Sequence, residues 1–563
     1  MRRIVLVLAL VACRQAAVAP VPSSWRYAGE AKPASGAHGM VVSDSALASH
    51  VGADVLRSGG NAVDAAVATA FALAVVLPEA GNLGGGGFAV VRAGDGRTAA
   101  LDFREMAPEA ATRDMYLDAG GQPTRDSLDG PRASGVPGSV AGLAALHAKY
   151  GSRPWAELLA PAIRLAETGV PVDERLHKAI ADVAKRLERW PASAALFLPG
   201  GAPPPVGATL RNPDLAATLR RIAADGADGF YRGATAELIA AEMRRDGGLI
   251  TEADLAGYAA RWREPVEARY RGHRIVAMPP PGSGDVVVEI ARILDGYDLK
   301  ALGWHSLAHI TLLAEAEQRA FADRNEYLGD PDFGAAPPQL LSDAFVARRR
   351  ATMDAEHATP SGRVKPGLAE DGNTTHMAVM DETGGAVALS TTLNQLFGSG
   401  LTVAGAGFLL NDEMDDFSVK AGVPNLFGLV QGERNRIAAG KRPLSSMAPT
   451  LVVGPDGQVV AAVGARGGSR IISATFQVLS NIVDFGMDAG AAVSAPRLHH
   501  QHTPDVLALE DGGFDDATKR GLEARGFTVK WLSVIGNAPV LTRAGGRWTG
   551  FADPRRGGGA AGP

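Results

Sequence analysis

The chain has 563 residues, 46% hydrophobic and 21% charged, with a formal net charge of −5. That length supplies two or three average domains or one large layered fold, and a mild acidity without any long Lys/Arg block argues against nucleic acid as a partner. The 69 glycines and 35 prolines favour a turn-rich fold over a helical bundle, and a single cysteine excludes an intrachain disulfide.

Met1-Arg2-Arg3 followed by an apolar run from Ile4 to Ala12 reads as a short secretory signal, with too few apolar residues to span a membrane. Leu10-Val11-Ala12-Cys13 resembles a bacterial lipobox, in which Cys13 is lipidated and becomes the mature N-terminus. The other reading is an ordinary signal peptide cut after Ala19, against which Pro20 stands. Residues 14 to 35, rich in Ala, Pro and Ser, read as a flexible tether.

Leu47, Val51 and Val55 recur at helical spacing between Ser45 and Ser58, with Gly59-Gly60 as the stop. Asn61 then caps an Ala/Val-rich helix to about Val76, ended by Pro78. It is apolar on most faces and so belongs in the interior; Asp64 and its length argue against a membrane span. Gly81-Asn82-Leu83-Gly84-Gly85-Gly86-Gly87-Phe88 invites a phosphate-loop reading, but it precedes a strand (Ala89 to Arg92) and lacks the Lys-Ser/Thr of such loops. Close backbone packing at a tight bend is the preferred account. In the strand that follows, Asp102 and Arg104 share one side, away from Leu101 and Phe103.

Residues 140 to 330 read as mainly helical: Val140 to Lys149, Ala156 to Glu167, Leu215 to Ala224, Ala234 to Arg245, Val286 to Leu294 and Leu307 to Tyr327. Residues 350 to 372 are polar, without periodicity, and read as a surface linker. The pattern then turns β-rich. Asp371-Gly372-Asn373-Thr374-Thr375-His376 opens an apolar alternation, Asp381 to Gly385 forms a loop, and a second run spans Ala386 to Thr392. This predicts an antiparallel hairpin symmetric about Thr383, which sets Thr374 opposite Thr392. Such neighbours stand close enough for two hydroxyls to hydrogen-bond. The segment reads either as a Thr-rich hairpin or as a threonine nucleophile freed by cleavage after Asn373. A second hairpin (Leu451 to Val453, Gln458 to Val463) and a helix (Ile471 to Asp484) complete a layered α+β pattern. His499-His500-Gln501-His502 looks like a metal cluster, yet no carboxylate-rich second set supports zinc, so no metal is expected. The Gly-rich tail after Arg556 reads as disordered.

The run TTHMAVMD, followed in order by TTLNQLFGSG, LLNDEMDDFS, GVPN, KRPLSSMAPT and GGSRI, resembles the gamma-glutamyltranspeptidase family of N-terminal-nucleophile hydrolases. LDFREMAP, GNLGGGGF and ADRNEYLGDPDF upstream do so too, and the likeness runs from about Gly39 to about Arg555.

The resemblance implies a four-layer αββα sandwich and a precursor that cuts itself between Asn373 and Thr374 by an N-to-O acyl shift. A large chain (36–373) and a small chain (374–563) would remain together as a heterodimer. Thr374 becomes the catalytic nucleophile, with its own α-amine as general base; the reference pKa of such an amine is about 8. By the same resemblance Thr392 hydrogen-bonds the nucleophile, Gly467 and Gly468 form the oxyanion hole, and Asn394 makes a further polar contact. Arg104, Ser445 and Ser446 hold the α-carboxylate of the γ-glutamyl group, while Glu413 and Asp416 accept its α-amino group. His376, two residues beyond Thr374, either tunes the site or is a structural histidine. Residues 417 to 441 match a lid loop. Two departures stand out: Phe427 replaces a common Tyr and loses its hydroxyl bond to Asn394, and Arg466 occupies a common proline position beside the glycines.

The implied activity is γ-glutamyl transfer from glutathione or a related amide to water, an amino acid or a peptide amine, without a cofactor, in a periplasmic or membrane-anchored protein. Two rivals remain. A β-lactam or other amide acylase on the same fold would not need the clamp of Arg104, Glu413, Asp416, Ser445 and Ser446. A non-catalytic binding lipoprotein would not need Thr374, Thr392 and Gly467-Gly468 together.

Overall fold

Alternation along one strand sets the layers. In Asn373–Asp381, Met377 and Val379 join a core shared with the helices Ala46–Arg57 and Ala62–Val76, whereas Ala378 and Met380 join a second core shared with another sheet. The computed structural model describes residues 22–29, 32–337, 339–364, 373–420 and 432–563. The leader with Cys13, residues 14–21, 30 and 31 of the 14–35 stretch, Asp371-Gly372 and the centre of the lid loop with Phe427 lie outside the described residues.

The first sheet is antiparallel throughout and runs Gly559–Ala561, Gly39–Ser43, Asn373–Asp381, Ala386–Asn394, Gly86–Arg92, Thr98–Phe103, Arg261–Arg263. The second runs Ala34–Gly36, Arg547–Phe551, Val540–Ala544, Val459–Val463, Thr450–Val453, His273–Ala277, Val266–Tyr270. The two are packed face to face, and the helices Gly284–Leu294, Leu307–Tyr327 and Arg470–Val483 cover the outside of the second. The result is the four-layer αββα sandwich expected from the motifs.

Local chemistry explains the helices on the first layer. Asn61 accepts from the amides of Val63 and Asp64 while Asp64 bonds back to Asn61, a reciprocal cap. Every residue from Ala62 to Val76 is buried, as an all-round apolar helix requires. Ser45 caps the preceding helix through Ala48, and Ser306 caps Leu307–Tyr327 through His309.

Three expectations need correction. The region read as mainly helical also contributes Arg261–Arg263, Val266–Tyr270 and His273–Ala277, which close one edge of both sheets. The Gly-rich tail is ordered as an edge strand: Gly559, Ala560 and Ala561 pair with Ser43, Val42 and Val41. Glycine is required there because a Cβ on Gly559 would stand 2.6 Å from the Ala46 Cα. Part of the stretch read as a tether is docked: Trp25 is buried, its Nε1–H donating to the Ser494 carbonyl at 2.6 Å, and Ala34–Gly36 joins the second sheet.

Candidate active site

Five strand ends of the first sheet meet at one rim: the starts of Asn373–Asp381 and Gly86–Arg92, and the ends of Ala386–Asn394, Thr98–Phe103 and Gly39–Ser43. The hairpin register pairs Thr374 with Thr392 and Thr375 with Thr391, as counting from Thr383 requires, and an irregularity falls between Asn373 and Thr374. Thr392 Oγ1 accepts from the Asn394 amide at 2.8 Å. Asn394 sits at φ +76°, and its side-chain Nδ2 donates to the Asp412 carbonyl at 2.9 Å. This left-handed residue turns the chain out of the sheet towards the acidic segment that follows.

The glycine run lets backbones touch here. A Cβ on Gly84 would lie 2.1 Å from the Leu409 carbonyl oxygen, and one on Gly85 2.0 Å from that of Thr392. Asn82 ties the loop to the hairpin, its Nδ2 donating to Thr391 Oγ1 at 3.1 Å and to the Thr392 carbonyl at 2.8 Å. The run is packing, as its sequence context indicated.

Arg104 leaves the sheet at the end of Thr98–Phe103 and is fully buried. Its amide donates to Asp102 Oδ1 at 3.0 Å, and its carbonyl accepts from the Tyr258 hydroxyl at 2.7 Å. The guanidinium donates to Glu413, to Asp416, to Glu105 at 3.2 Å and to the Pro443 carbonyl at 3.2 Å. Burial opposes this charge, but the carboxylates of Glu413, Glu105 and Asp416 outweigh it and hold the guanidinium above its ordinary range. The same burial pushes Glu105 up to about 7 and Glu413 well above the usual carboxylate range, despite Arg104. Glu105 Oε1 and Glu413 Oε2 have no hydrogen-bond partner among the described residues. Without a ligand, one cation and three acids face one another out of water.

Ser445 and Ser446 approach from the second sheet's side. Ser445 Oγ accepts from the Met447 amide at 3.2 Å, and the Ser445 carbonyl accepts from Ser283 Oγ at 2.5 Å. Ser446 Oγ accepts from Arg324 Nη2 at 3.2 Å, and Arg324 Nε donates to Ser283 Oγ at 2.9 Å.

Gly467 and Gly468 lie between the strand Val459–Val463 and the helix Arg470–Val483, at φ +123° and +64°. Both values need glycine, and a side chain on Gly467 would also meet the Gly536 Cα at 3.1 Å. The preceding Arg466 is buried. Its Nη1 donates to Asp44 Oδ2 at 3.0 Å, and its backbone pairs with Asn537 in both directions at 2.9 Å. Asp44 also accepts from Thr375 Oγ1 at 2.9 Å and from Asn537 Nδ2 at 2.8 Å. Asp44 thus links the residue after Thr374 to the residue before Gly467.

His376 is buried with Nδ1 and Ser390 Oγ 2.9 Å apart, and burial lowers its pKa to about 3. A Cβ on Gly464 would fall 2.4 Å from the ring, so a bare glycine of the second sheet's side makes room for it. A neutral, packed histidine is the structural member of the two readings. His499 lies near Ser473, with Nδ1 2.7 Å from its Oγ, and burial depresses its pKa to about 3. Among the described residues no group of three or more His, Cys, Asp or Glu is arranged to hold a metal ion.

Sequence reasoning missed Glu105, Arg324 and Asp44. Glu105 and Arg324 both sit inside motifs quoted for the resemblance, LDFREMAP and ADRNEYLGDPDF, where adjacency to Arg104 and a charged residue in a matched motif were the available signals. Asp44 carried none: its partner Arg466 is 422 residues away.

The family profile described as Gamma-glutamyltranspeptidase matches residues 48–563. The chain is similar to the glutathione hydrolase proenzyme of Escherichia coli, at 45% identity over 554 residues, 96% of this chain and 95% of that one. Among solved structures it is similar to the cephalosporin acylase of Bacillus halodurans, with a TM-score of 0.84 and 29% identity over 96% of this chain and 98% of that one. A structure of the gamma-glutamyltranspeptidase of Helicobacter pylori matches 57% of this chain and 93% of its own, at 44% identity and a TM-score of 0.56.

Proposed function

We propose that this chain, which belongs to the gamma-glutamyltranspeptidase family, hydrolyses γ-glutamyl amides such as glutathione and transfers the γ-glutamyl group to amino-acid or peptide amines, with Thr374 as its nucleophile. One observation carries the reading. Arg104 is buried against Glu413 and Asp416 at the same rim as the Thr374–Thr392 pair. An α-amino acid is a zwitterion and brings the reciprocal charges: its carboxylate replaces the acids on Arg104, and its ammonium replaces Arg104 on Glu413 and Asp416. Both exchanges keep every buried charge paired, which an apolar acyl group does not do. Ser445 and Ser446 add hydroxyls to the carboxylate side, and Asn394 a further polar contact.

The chemistry runs in two stages. In the precursor, Thr374 Oγ attacks the Asn373 carbonyl, the peptide C–N bond breaks as the ester forms, and water releases a chain ending at Asn373. The freed α-amine then serves as base. In turnover, Oγ bonds to the γ-carbonyl carbon, the amide C–N bond breaks, and the proton from Oγ passes through the α-amine to the leaving amine. Backbone amides of Gly467 and Gly468 suit the developing oxyanion. Further along the same strand Ala378 and Met380 face the second sheet, from which those glycines come.

The two products of maturation are a large chain (36–373) and a small chain (374–563), held as a heterodimer by the two shared sheets. The leader reads as an export signal, with Cys13 as a lipid attachment point that anchors the protein in the periplasm or on a membrane; loss of detergent partitioning in Cys13→Ser tests this. Hydrolysis of a γ-glutamyl anilide tests the activity itself. Wild type should release the aniline and Thr374→Ala should not, and hydrolysis surviving in Thr374→Ala refutes the assignment. An acylase of the cephalosporin type is the second reading, favoured by the structural likeness and by related acylase proenzymes; the charged clamp at Arg104 opposes it.

A further inference from the structure

The nucleophile and the oxyanion donors stand on different sheets. Thr374 opens a strand of the first, while Gly467 and Gly468 follow the strand Val459–Val463 of the second. A misplacement of about 1 Å between reacting groups costs on the order of 10²-fold in rate, so the two sheets must be fixed against each other at this rim. Backbone pairing does not extend that far on one side of the nucleophile strand. Its ladder with Gly39–Ser43 stops at Met377 opposite Ser43, and Thr375 and His376 keep their register with Ala386–Asn394 alone among the described strands.

We propose that Asp44 and Arg466 form a positioning pair that holds Thr374 and the amides of Gly467 and Gly468 at reacting distance. The proposal rests on the reading in which those three residues are nucleophile and oxyanion hole. Asp44 is the first residue past Gly39–Ser43, where the ladder stops, and its side chain takes over there. Oδ2 accepts from Thr375 Oγ1 at 2.9 Å, one residue from the nucleophile, and from Arg466 Nη1 at 3.0 Å, one residue from Gly467. Oδ1 accepts from Asn537 Nδ2 at 2.8 Å. Asn537 exchanges two backbone bonds with Arg466, beyond the point where Val463 pairs with Val540. Its neighbour Gly536 is the residue that a side chain on Gly467 would strike. One buried carboxylate therefore grips the nucleophile strand and both arms of the oxyanion loop.

The pair also answers a local excess of positive charge. Arg175 pairs with the buried Glu79 near by. Burial, then the like charge of Arg466, lowers its pKa to about 10, and Asp44 opposes that fall. Neutralising Asp44 alone leaves Arg466 buried without its counter-charge beside a second cation, a state that the loop escapes by moving. Neutralising both partners avoids this. Asp44→Asn with Arg466→Gln keeps an acceptor for Thr375 and a donor at position 466. The new amide at position 44 finds an acceptor in Asn537 Oδ1, which has no hydrogen-bond partner among the described residues.

A double-mutant cycle on the matured enzyme tests this, with kcat and KM for a γ-glutamyl anilide counted per titrated active site. Counting per active site removes losses from unfolding, the only ones that a merely structural contact would cause. Asp44→Asn should lower kcat about tenfold or more with KM within about twofold, because the Arg104 clamp is untouched. Arg466→Gln should lower kcat about threefold or more, and the double variant should return to within about threefold of wild type. A kcat for Asp44→Asn within twofold of wild type, a loss carried by KM instead, or a double variant whose loss is the product of the two single losses overturns the pair. If Asp44→Asn does not fold or does not cleave itself, Thr375→Val, which leaves the ion pair whole, should still lower kcat about threefold at unchanged KM; an unchanged kcat overturns the pair equally. A wild type that hydrolyses the anilide while its variants match it sinks the positioning pair alone. A wild type without hydrolysis sinks the Thr374 reading with it.

Discussion

Replacing Arg104 by Met removes the guanidinium and keeps most of its apolar length. Two effects follow, and they separate. The donor loses two parallel charge-assisted hydrogen bonds at its α-carboxylate, each worth about 1.5–3 kcal/mol. Together they come to roughly 3–6 kcal/mol, or about 10²–10⁴ in kcat/KM at 1.4 kcal/mol per decade. The fold loses the cation facing Glu413, Asp416 and Glu105, all buried. Breaking a buried pair from one side costs about 3–5 kcal/mol, and here it depends on pH. Glu105 and Glu413 already sit above their ordinary range because of burial, and without Arg104 they rise further. A carboxyl with a raised folded pKa gives stability that is present below its unfolded value and lost as pH rises through the folded one. Arg104→Met should therefore be near wild-type stability at pH 5 and clearly weaker at pH 8. Denaturant titration at both values reads this, and anilide hydrolysis reads the catalytic loss. Arg104→Lys keeps the charge but not the fork, and should recover stability while remaining catalytically poor. A kcat/KM within tenfold of wild type in Arg104→Met, together with an unshifted midpoint at pH 8, would refute the clamp.

Other outcomes follow from single contacts. Thr392→Val orphans the buried Asn394 amide now 2.8 Å from Oγ1, so stability should drop by about 1–3 kcal/mol and self-cleavage should slow; cleavage at wild-type speed with an unmoved midpoint speaks against the pairing. Gly467→Ala demands φ +123° from a residue with a Cβ and meets the Gly536 Cα at 3.1 Å, so turnover should fall at least tenfold, measured as kcat on the anilide. Asp285, whose Oδ1 has no partner among the described residues, is pushed up to about 7 by burial. Its contribution is present below pH 4 and lost as pH rises towards 7, so Asp285→Asn should raise Tm at pH 8 and leave it unchanged at pH 4; parallel Tm curves for the two proteins contradict this.

What the sequence disclosed was mostly local or periodic. The Thr374–Thr392 register came from counting across a hairpin loop, and the Ala62–Val76 helix from its Asn61 cap and its Ala/Val run. Short strands with charged side chains escaped: Arg261–Arg263 and Val266–Tyr270 are edge strands, half-exposed, with Arg and Glu at alternate positions, and they resemble loop between helices. The glycine-rich end looked disordered because composition hides its purpose, which is close approach of Gly559–Ala561 to the first helix and to Gly39–Ser43. In the sequence Arg466 was legible only as a departure from a common proline position beside Gly467. Its burial rests on Asp44, a partner that only the closed fold brings near. The acids around Arg104 were legible as ligand groups for a substrate amine, but not as one another's counter-charges before a substrate arrives.

The central claim is that Thr374 becomes a free N-terminal nucleophile, and the intact mass of the purified protein under denaturing conditions tests it most directly. Two chains whose masses place the break between Asn373 and Thr374 are the predicted result, with Thr374→Ala remaining whole. A single uncut wild-type chain after long incubation contradicts the account, because no α-amine would then exist at Thr374 to serve as base.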